Sequence, residues 1–169
     1  SFELSNLSIL SKLSKPIYFV NGNHEYYLKD YKEKLSKLKN FNIVTLNNKN
    51  IVINDINLVG IDDNQSTNKQ IENYIKLKKT KMYNLLLVHK PSIWEDIKNN
   101  VDLMLSGHCH NGQIMPFNFL VKLKFKYMYG LYKFKNSNLY VSSGSGCWGP
   151  RMRVGTINEI VYFQLDNNK

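Results

Sequence analysis

The sequence predicts an α/β fold, because two patterns alternate along the chain. Short apolar runs rich in branched residues, which suit strands, lie at residues 16–20, 85–88 and 101–105. Segments with apolar residues at helical spacing lie between them. Each of these runs is followed by a turn that carries histidine. Since ligands in open α/β sheets gather beyond the carboxyl ends of strands, we expect these turns to form one site.

The other elements follow from residue spacing. Apolar and aromatic residues recur at helical spacing after the first run: Tyr27, Leu28, Tyr31, Leu35 and Leu38. Residues 51–61 are predicted to form two strands around a turn, and residues 66–79 an amphipathic helix. Ser92 and Glu95 have the spacing of a capping box, which predicts a short helix after His89.

A segment rich in lysine and aromatic residues, at 117–129, stands apart from the rest. Apolar residues alternate with lysine from Val121 to Tyr127, which favours a strand with one dry face and one lysine face. The alternative is a peripheral membrane contact, since aromatic and basic side chains together suit an anionic interface.

Three turns carry the chemistry, in the order Asn-Gly-Asn-His-Glu at 21–25, His89, and Gly-His-Cys-His at 107–110. Taken singly, each has an ordinary interpretation, as turn chemistry, a hydrogen-bonded histidine or a surface histidine pair. Together they offer imidazole and carboxamide groups, which suit Zn, Mn or Fe. Two such ions, about 3.5–4 Å apart, can clamp both oxygens of a phosphoryl displacement. The combination predicts a metal-dependent phosphoester hydrolase.

These residues resemble the calcineurin-like metallophosphoesterases, whose pattern runs D-x-H, G-D-x-x-D, G-N-H-[DE], a single His and G-H-x-H. The chain matches the last three motifs. Residues 102–114 and 139–146 are similar to the YkuE-type, often membrane-associated, branch, and Arg153 matches its arginine, a candidate for substrate binding. The resemblance covers about residues 16–165. It implies a four-layer α/β/β/α sandwich with mixed sheets, of which this chain supplies the second sheet and part of the first.

The resemblance also implies roles for individual residues. By motif position, Asn23, His89 and His108 would ligate one metal and His110 the other, while His24 would be the acid that protonates the leaving oxygen. The neighbouring Glu25 would orient His24 or hold it protonated. An equally good interpretation makes it an acidic residue in the first turn of the next helix.

The sequence also departs from the family pattern. The D-x-H and G-D-x-x-D motifs do not precede residue 16, and Asp62 and Asp63 come too late in the order to replace them. We therefore expect residues 1–169 to form a single domain that is the C-terminal portion of a longer metallophosphoesterase domain. The intact enzyme would hold two divalent ions (Mn, Fe or Zn). This chain is expected to bind at most one ion, weakly, and to have little activity alone. Cys109, a free thiol between two metal-binding histidines, is expected to be prone to oxidation.

The predicted reaction is hydrolysis of a phosphomonoester, phosphodiester or pyrophosphate bond by metal-activated hydroxide, on a small-molecule or lipid-linked phosphoester. The net charge of +10 keeps an alternative open: a noncatalytic basic binding domain of the same fold that contacts nucleic acid or an anionic membrane. Nucleic acid is disfavoured because the only arginines are Arg151 and Arg153. No apolar run approaches about 20 residues. The intact protein is expected to be cytoplasmic or membrane-associated.

Overall fold

The computed structural model describes residues 4–166, which contain two β-sheets. In the smaller sheet, β1 (Ile17–Phe19) pairs in parallel with β2 (Ile43–Thr45). The larger sheet has the strand order β3-β4-β5-β6-β8-β7. Its strands are β3 (Lys49–Ile53), β4 (Ile56–Ile61), β5 (Tyr83–Val88), β6 (Leu103–Ser106), β7 (Gly130–Phe134) and β8 (Ser137–Val141). Neighbouring strands from β4 to β8 run parallel, and β3 and β7 are antiparallel edges.

The helices are short. They are α1 (Tyr31–Lys37), α2 (Thr67–Leu77), α3 (Trp94–Ile97) and α4 (Phe117–Lys124), joined by 3-10 segments at Leu4–Lys12, Glu25–Tyr27, Leu38–Phe41, Pro91–Ile93 and His110–Gly112. This architecture confirms the predicted α/β class with a mixed sheet. Within residues 4–166, no helix combines the length and the apolar character needed to cross a bilayer.

The main core packs the larger sheet against α2, α3 and the turns beside them. Burial in β5 alternates strictly along the strand, so that Leu86 and Val88 point into this core. Trp94 and Tyr74 fill it from the helices, and the Tyr74 hydroxyl donates to the Asn100 carbonyl at 2.6 Å. The core therefore fixes the strand that ends just before His89.

The smaller sheet meets the larger one at Gly60 in β4. A Cβ atom on Gly60 would lie 2.5 Å from Leu46 Cβ and 2.7 Å from Val20 Cγ1. Leu46 follows β2 and is buried, and its amide donates to the Phe19 carbonyl at 2.8 Å. The two sheets can approach this closely only because residue 60 has no side chain.

A network of amides lies at the other end of the larger sheet. The fully buried Asn57 in β4 accepts a hydrogen bond from Asn50 of β3 at 2.8 Å and donates to the Asn84 side chain of β5 at 2.9 Å. The backbone amide of Asn84 donates to the Asp102 carboxylate, just before β6, at 2.7 Å. Buried polar groups on four consecutive stretches of the sheet therefore satisfy one another.

Most elements expected from the sequence are present. The predicted strand pair is β3 and β4, and the helix predicted over 66–79 is α2, with the Ser66 hydroxyl accepting from the Lys69 amide at its start. The capping box was wrong, although a short helix does follow His89. Pro91 opens that turn, Ser92 makes no cap, and the Glu95 carboxylate binds Lys98, Lys126 and Tyr127 instead.

The strand predicted from Val121 to Tyr127 was also wrong, because residues up to Lys124 form α4. A strand would have placed Val121, Leu123 and Phe125 on one dry face. In the helix, Val121 and Phe125 are four residues apart and face the cavity described below, while Leu123 is 86% exposed.

Candidate metal centre

Three of the predicted ligands meet where β1, β5 and β6 end. The Asn23 Oδ1 atom lies 2.8 Å from His89 Nε2, and His89 Nε2 lies 3.0 Å from His108 Nδ1. Neighbouring ligand atoms about 2.1 Å from one octahedral ion are about 3 Å apart. Both distances from His89 Nε2 therefore match the spacing of neighbouring ligand atoms on a single divalent ion.

Burial prepares these histidines for metal binding. Desolvation, followed by the positive charge of His108, lowers the pKa of His89 to about 4. Desolvation, followed by the Lys90 charge, lowers the pKa of His108, and desolvation with the Arg153 charge does the same to the pKa of His110. All three rings are thus neutral near pH 7, which is the form that binds a metal.

His110 follows His108 by two residues and, among the described residues, makes no side-chain hydrogen bond to this trio. Its ring lines the same cavity, and its Nδ1 atom is buried without a hydrogen-bond partner. Both His108 and His110 have left-handed backbones, with φ of 72° and 48°. Non-glycine residues adopt this conformation at a cost that is common at functional sites. An unpartnered buried nitrogen in a strained turn fits a ligand to a second ion.

The turn that carries Asn23 and His24 is held by its neighbours. The Glu25 carboxylate accepts from the Gly22 amide at 2.7 Å, so it braces the turn from the first residue of the 3-10 segment. The His24 ring packs against Tyr27 at 5.3 Å and lines the cavity. Of the two interpretations of Glu25, its place in the first turn agrees with the structure. A Cβ on Gly22 would lie 2.8 Å from the His89 ring, so glycine lets the two turns touch.

A second set of contacts ties this turn to the larger sheet. The buried Asn21 donates from its side chain to the Tyr26 hydroxyl at 2.8 Å, and Tyr26 in turn donates to Asp62. Asp63, whose side chain is 2% exposed, accepts from Lys90 Nζ at 2.8 Å. Each carboxylate thus has a side-chain partner and neither residue lines the cavity, although Asp63 Oδ1 is buried without a hydrogen-bond partner in the described part of the chain.

The ligands open into a cavity of about 840 Å³. The lining contains the polar residues Asn23, His24, His89, His108 and His110. Most of the remaining lining is apolar, and it includes Tyr27, Ile114, Val121, Phe125, Trp148 and Pro150 together with Lys124. The arrangement can hold a cation and, beside it, an anionic group attached to an apolar one.

Arg153 has contacts that the sequence did not predict. The Arg153 guanidinium donates to the carbonyl oxygens of His110, Ser143 and Gly146 at 2.9, 2.6 and 2.7 Å. It thereby joins the last histidine turn to the glycine loop after β8. Its side chain does not line the cavity, and its role in substrate binding stays a prediction. The nearest signal in the sequence was the glycine-rich stretch that precedes it.

The expected oxidation of Cys109 does not agree with the structure. Its side chain is buried, with Sγ 3.9 Å from the Tyr127 carbonyl. Burial raises the pKa of the Cys109 thiol to about 11, and the thiol form is a poor nucleophile. Cys147, in contrast, is exposed.

The ligand set depends on an amide. In the part of the chain that the structure describes, no group of three or more His, Cys, Asp or Glu side chains is arranged to hold a metal ion. Two histidines converge, and Asn23 supplies the third atom. This combination of an asparagine after a strand with two later histidines is the one that the family motifs predict.

A known protein family matches more than half of this chain. The profile of the calcineurin-like phosphoesterases matches residues 2–112. The chain belongs to this family. Members of the family generally use divalent metals, and the family assignment suggests metal-dependent phosphoester hydrolysis.

Several curated relatives bear the same family name. An uncharacterized metallophosphoesterase of Helicobacter pylori is 39% identical over 156 residues, which is 88% of this chain and 42% of that protein. The Bacillus subtilis metallophosphoesterase YkoQ is 34% identical over 177 residues, covering 94% of this chain and 64% of its own length. A bovine transmembrane protein with a metallophosphoesterase domain is 31% identical over 169 residues, covering 88% of this chain and 38% of its own length. The chain thus spans 42% of the length of the Helicobacter relative. No solved structure gives a significant match.

Proposed function

We propose that this chain supplies part of the catalytic centre of a metal-dependent phosphoester hydrolase. The observation that carries the proposal is the convergence of Asn23 Oδ1, His89 Nε2 and His108 Nδ1, at successive distances of 2.8 and 3.0 Å. An amide oxygen and two neutral imidazoles form a donor set that suits Mn, Fe or Zn. These histidine and amide side chains line a large cavity, as a site for a bound substrate requires.

Each cavity residue has a distinct proposed role. Asn23, His89 and His108 would hold one ion, and the unpartnered His110 would contribute to the second. When bound, such ions stabilise negative charge that builds on the phosphoryl oxygens. Among the described residues, no hydrogen bond joins the His24 ring to the trio, and we assign His24 the donation of a proton to the oxygen of the leaving group. Glu25, through the Gly22 amide, keeps this turn in place.

The bond cleaved would be a phosphomonoester, a phosphodiester or a pyrophosphate, in a small-molecule or lipid-linked substrate. The apolar wall formed by residues such as Val121 and Phe125 supports a leaving group with an apolar part.

Metal stoichiometry tests the ligand assignment. We expect this chain to bind at most one Mn or Zn ion, weakly, because three ligand atoms converge on one position and His110 stands beside it. Equilibrium dialysis followed by elemental analysis measures this. His108→Ala should remove the ion, while the matched variant His24→Ala, which removes a cavity histidine outside the trio, should keep it. Two tightly held ions per chain, or metal loss in the His24 variant, would overturn the assignment.

Turnover tests the role of His24. In a longer form that also carries D-x-H and G-D-x-x-D motifs, we expect His24→Ala to lower kcat for an aryl phosphodiester by about 10²- to 10⁴-fold, as for a lost general acid. The metal content should stay unchanged. If turnover persists at the parent rate, His24 is a structural residue and the proposed proton transfer is wrong.

A further inference from the structure

We propose that α4 is an interfacial helix that docks the protein on an anionic lipid bilayer. The proposal rests on the outer face of this helix and not on the proposed phosphoester chemistry. Phe119, Leu120 and Leu123 on this helix are 58%, 63% and 86% exposed. Side chains of this kind, gathered on one short helix, form the type of apolar patch that marks a contact surface.

The exposed apolar residues share one side of the helix. At about 100° per residue, Leu123 lies about 40° from Phe119, and Leu120 lies about 100° from it. The three side chains therefore cover one arc of the helix surface. Val121 falls on the opposite side, where it lines the cavity with Phe125. The helix is thus apolar both toward the protein and toward the outside.

Lysines border the exposed arc on both sides. By the same geometry, Lys122 lies about 60° before Phe119, and Lys124 lies about 40° beyond Leu120. Both are exposed, and the helix contains no acidic residue. Long lysine side chains beside an apolar stripe can reach lipid phosphates while the stripe enters the acyl boundary. Lys126, in contrast, lies outside the helix and binds Glu95.

The surroundings extend the surface and suggest its occupant. Met115, just before α4, is 48% exposed, and Trp148, which lines the cavity together with Val121 and Phe125, is 61% exposed. Tryptophan is a typical side chain of the membrane–water interface. A second copy of the chain, packed α4 against α4, would bring like charges together around the apolar stripe. An anionic bilayer complements both the stripe and the lysines.

Vesicle binding tests the proposal on the chain as it stands, without added metal. We expect co-sedimentation with phosphatidylserine–phosphatidylcholine vesicles that exceeds binding to phosphatidylcholine alone and falls as salt is raised. The double variant Lys122→Gln/Lys124→Gln should lower the partition coefficient about 25-fold, at about fivefold for each lysine. Leu120→Gln/Leu123→Gln should lower it by at least about tenfold.

Matched variants give the control. Lys76→Gln/Lys81→Gln removes the same charge from other exposed positions, and Ile160→Gln removes an isoleucine that is 94% exposed. Both should bind vesicles like the parent. Absence of binding, equal binding to neutral vesicles, or equal losses in control and α4 variants would overturn the proposal. A parent that self-associates in sedimentation equilibrium, with α4 variants that do not, would assign this face to a second copy and also overturn it.

Discussion

The two regions that supply the candidate ligands are anchored very differently. His89 and His108 follow β5 and β6, central strands of the six-stranded sheet, and the main core cluster lies entirely between residues 59 and 141. Asn23 and His24 follow β1, a three-residue strand whose residues are all only partly buried. Strands packed in the main core thus position His89 and His108. Hydrogen bonds and close contacts with neighbouring segments mainly position Asn23 and His24.

This difference shows what each half needs from the chain. The sheet half needs regular strands with alternating burial, which many sequences can provide. The turn half needs particular residues at particular points: Gly60 for the approach of Leu46, Gly22 for the approach of His89, and Glu25 for the Gly22 amide. Substitutions in the turn half should therefore alter metal binding more than they alter the larger sheet.

The largest effect is expected for Gly60→Ala, at the junction of the two regions. The added methyl would collide with Leu46, including its backbone carbonyl, which cannot rotate away. We expect a loss of about 1–3 kcal/mol in the free energy of unfolding, measured by urea denaturation, and weaker metal binding as Asn23 moves. Gly146→Ala is the matched control, because a Cβ there meets no atom within 4 Å. Equal stability of the two variants would mean that the sheets are not in close contact.

A smaller effect is expected for Glu25→Ala. The variant removes one hydrogen bond to the Gly22 amide, a loss of about 0.5–1.5 kcal/mol that falls on the turn. Metal affinity should drop about 2- to 10-fold, because Asn23 is no longer held against His89. Glu33→Ala removes an exposed helical carboxylate paired with Lys37 and should change neither affinity nor fold. Titration calorimetry compares the variants, and parent-like affinity of the Glu25 variant would exclude the bracing role.

The smallest effect is expected for thiol labelling of Cys109, which follows β6 in the half of the site that the larger sheet carries. Because burial raises the pKa of its thiol to about 11, about 0.1% is thiolate at pH 8, and iodoacetamide should label exposed Cys147 and spare Cys109. Mass spectrometry after brief labelling measures this, with urea-unfolded protein as the control in which both react. Labelling of Cys109 at the rate of Cys147 would show that the histidine turn opens readily.

Much of the site was predictable because its signals are local. Apolar runs mark β1, β5 and β6, and parallel strands bring the residues that follow them to one edge of the sheet. That reasoning, with the family resemblance, is enough to select Asn23, His89 and His108. The distances between them were not predictable, because they depend on Gly22 and Gly60, where the significance of a glycine comes from a distant neighbour.

The failures have a common physical cause. The alternation of lysine with apolar residues at Val121 and Leu123 suits a strand, but the outer side of this segment is exposed, so no second layer enforced that period. Glu95 had the spacing of a capping residue, yet two nearby lysines attract its carboxylate more strongly than a backbone amide does. In both cases tertiary surroundings outweighed a valid local preference.

The amide network at the far end of the larger sheet limits how its strands can slide. A slip of one residue between β4 and β5 would move His89 by about 3.3 Å and turn it to the opposite face of the sheet. The same slip would separate Asn57 from Asn84 and break the buried hydrogen bond between their side chains. A shifted register of β4 and β5 therefore costs free energy at Asn84, five residues before His89. Hydrogen bonds among buried amides at the far end of the sheet thus fix the position of His89 relative to the candidate metal site.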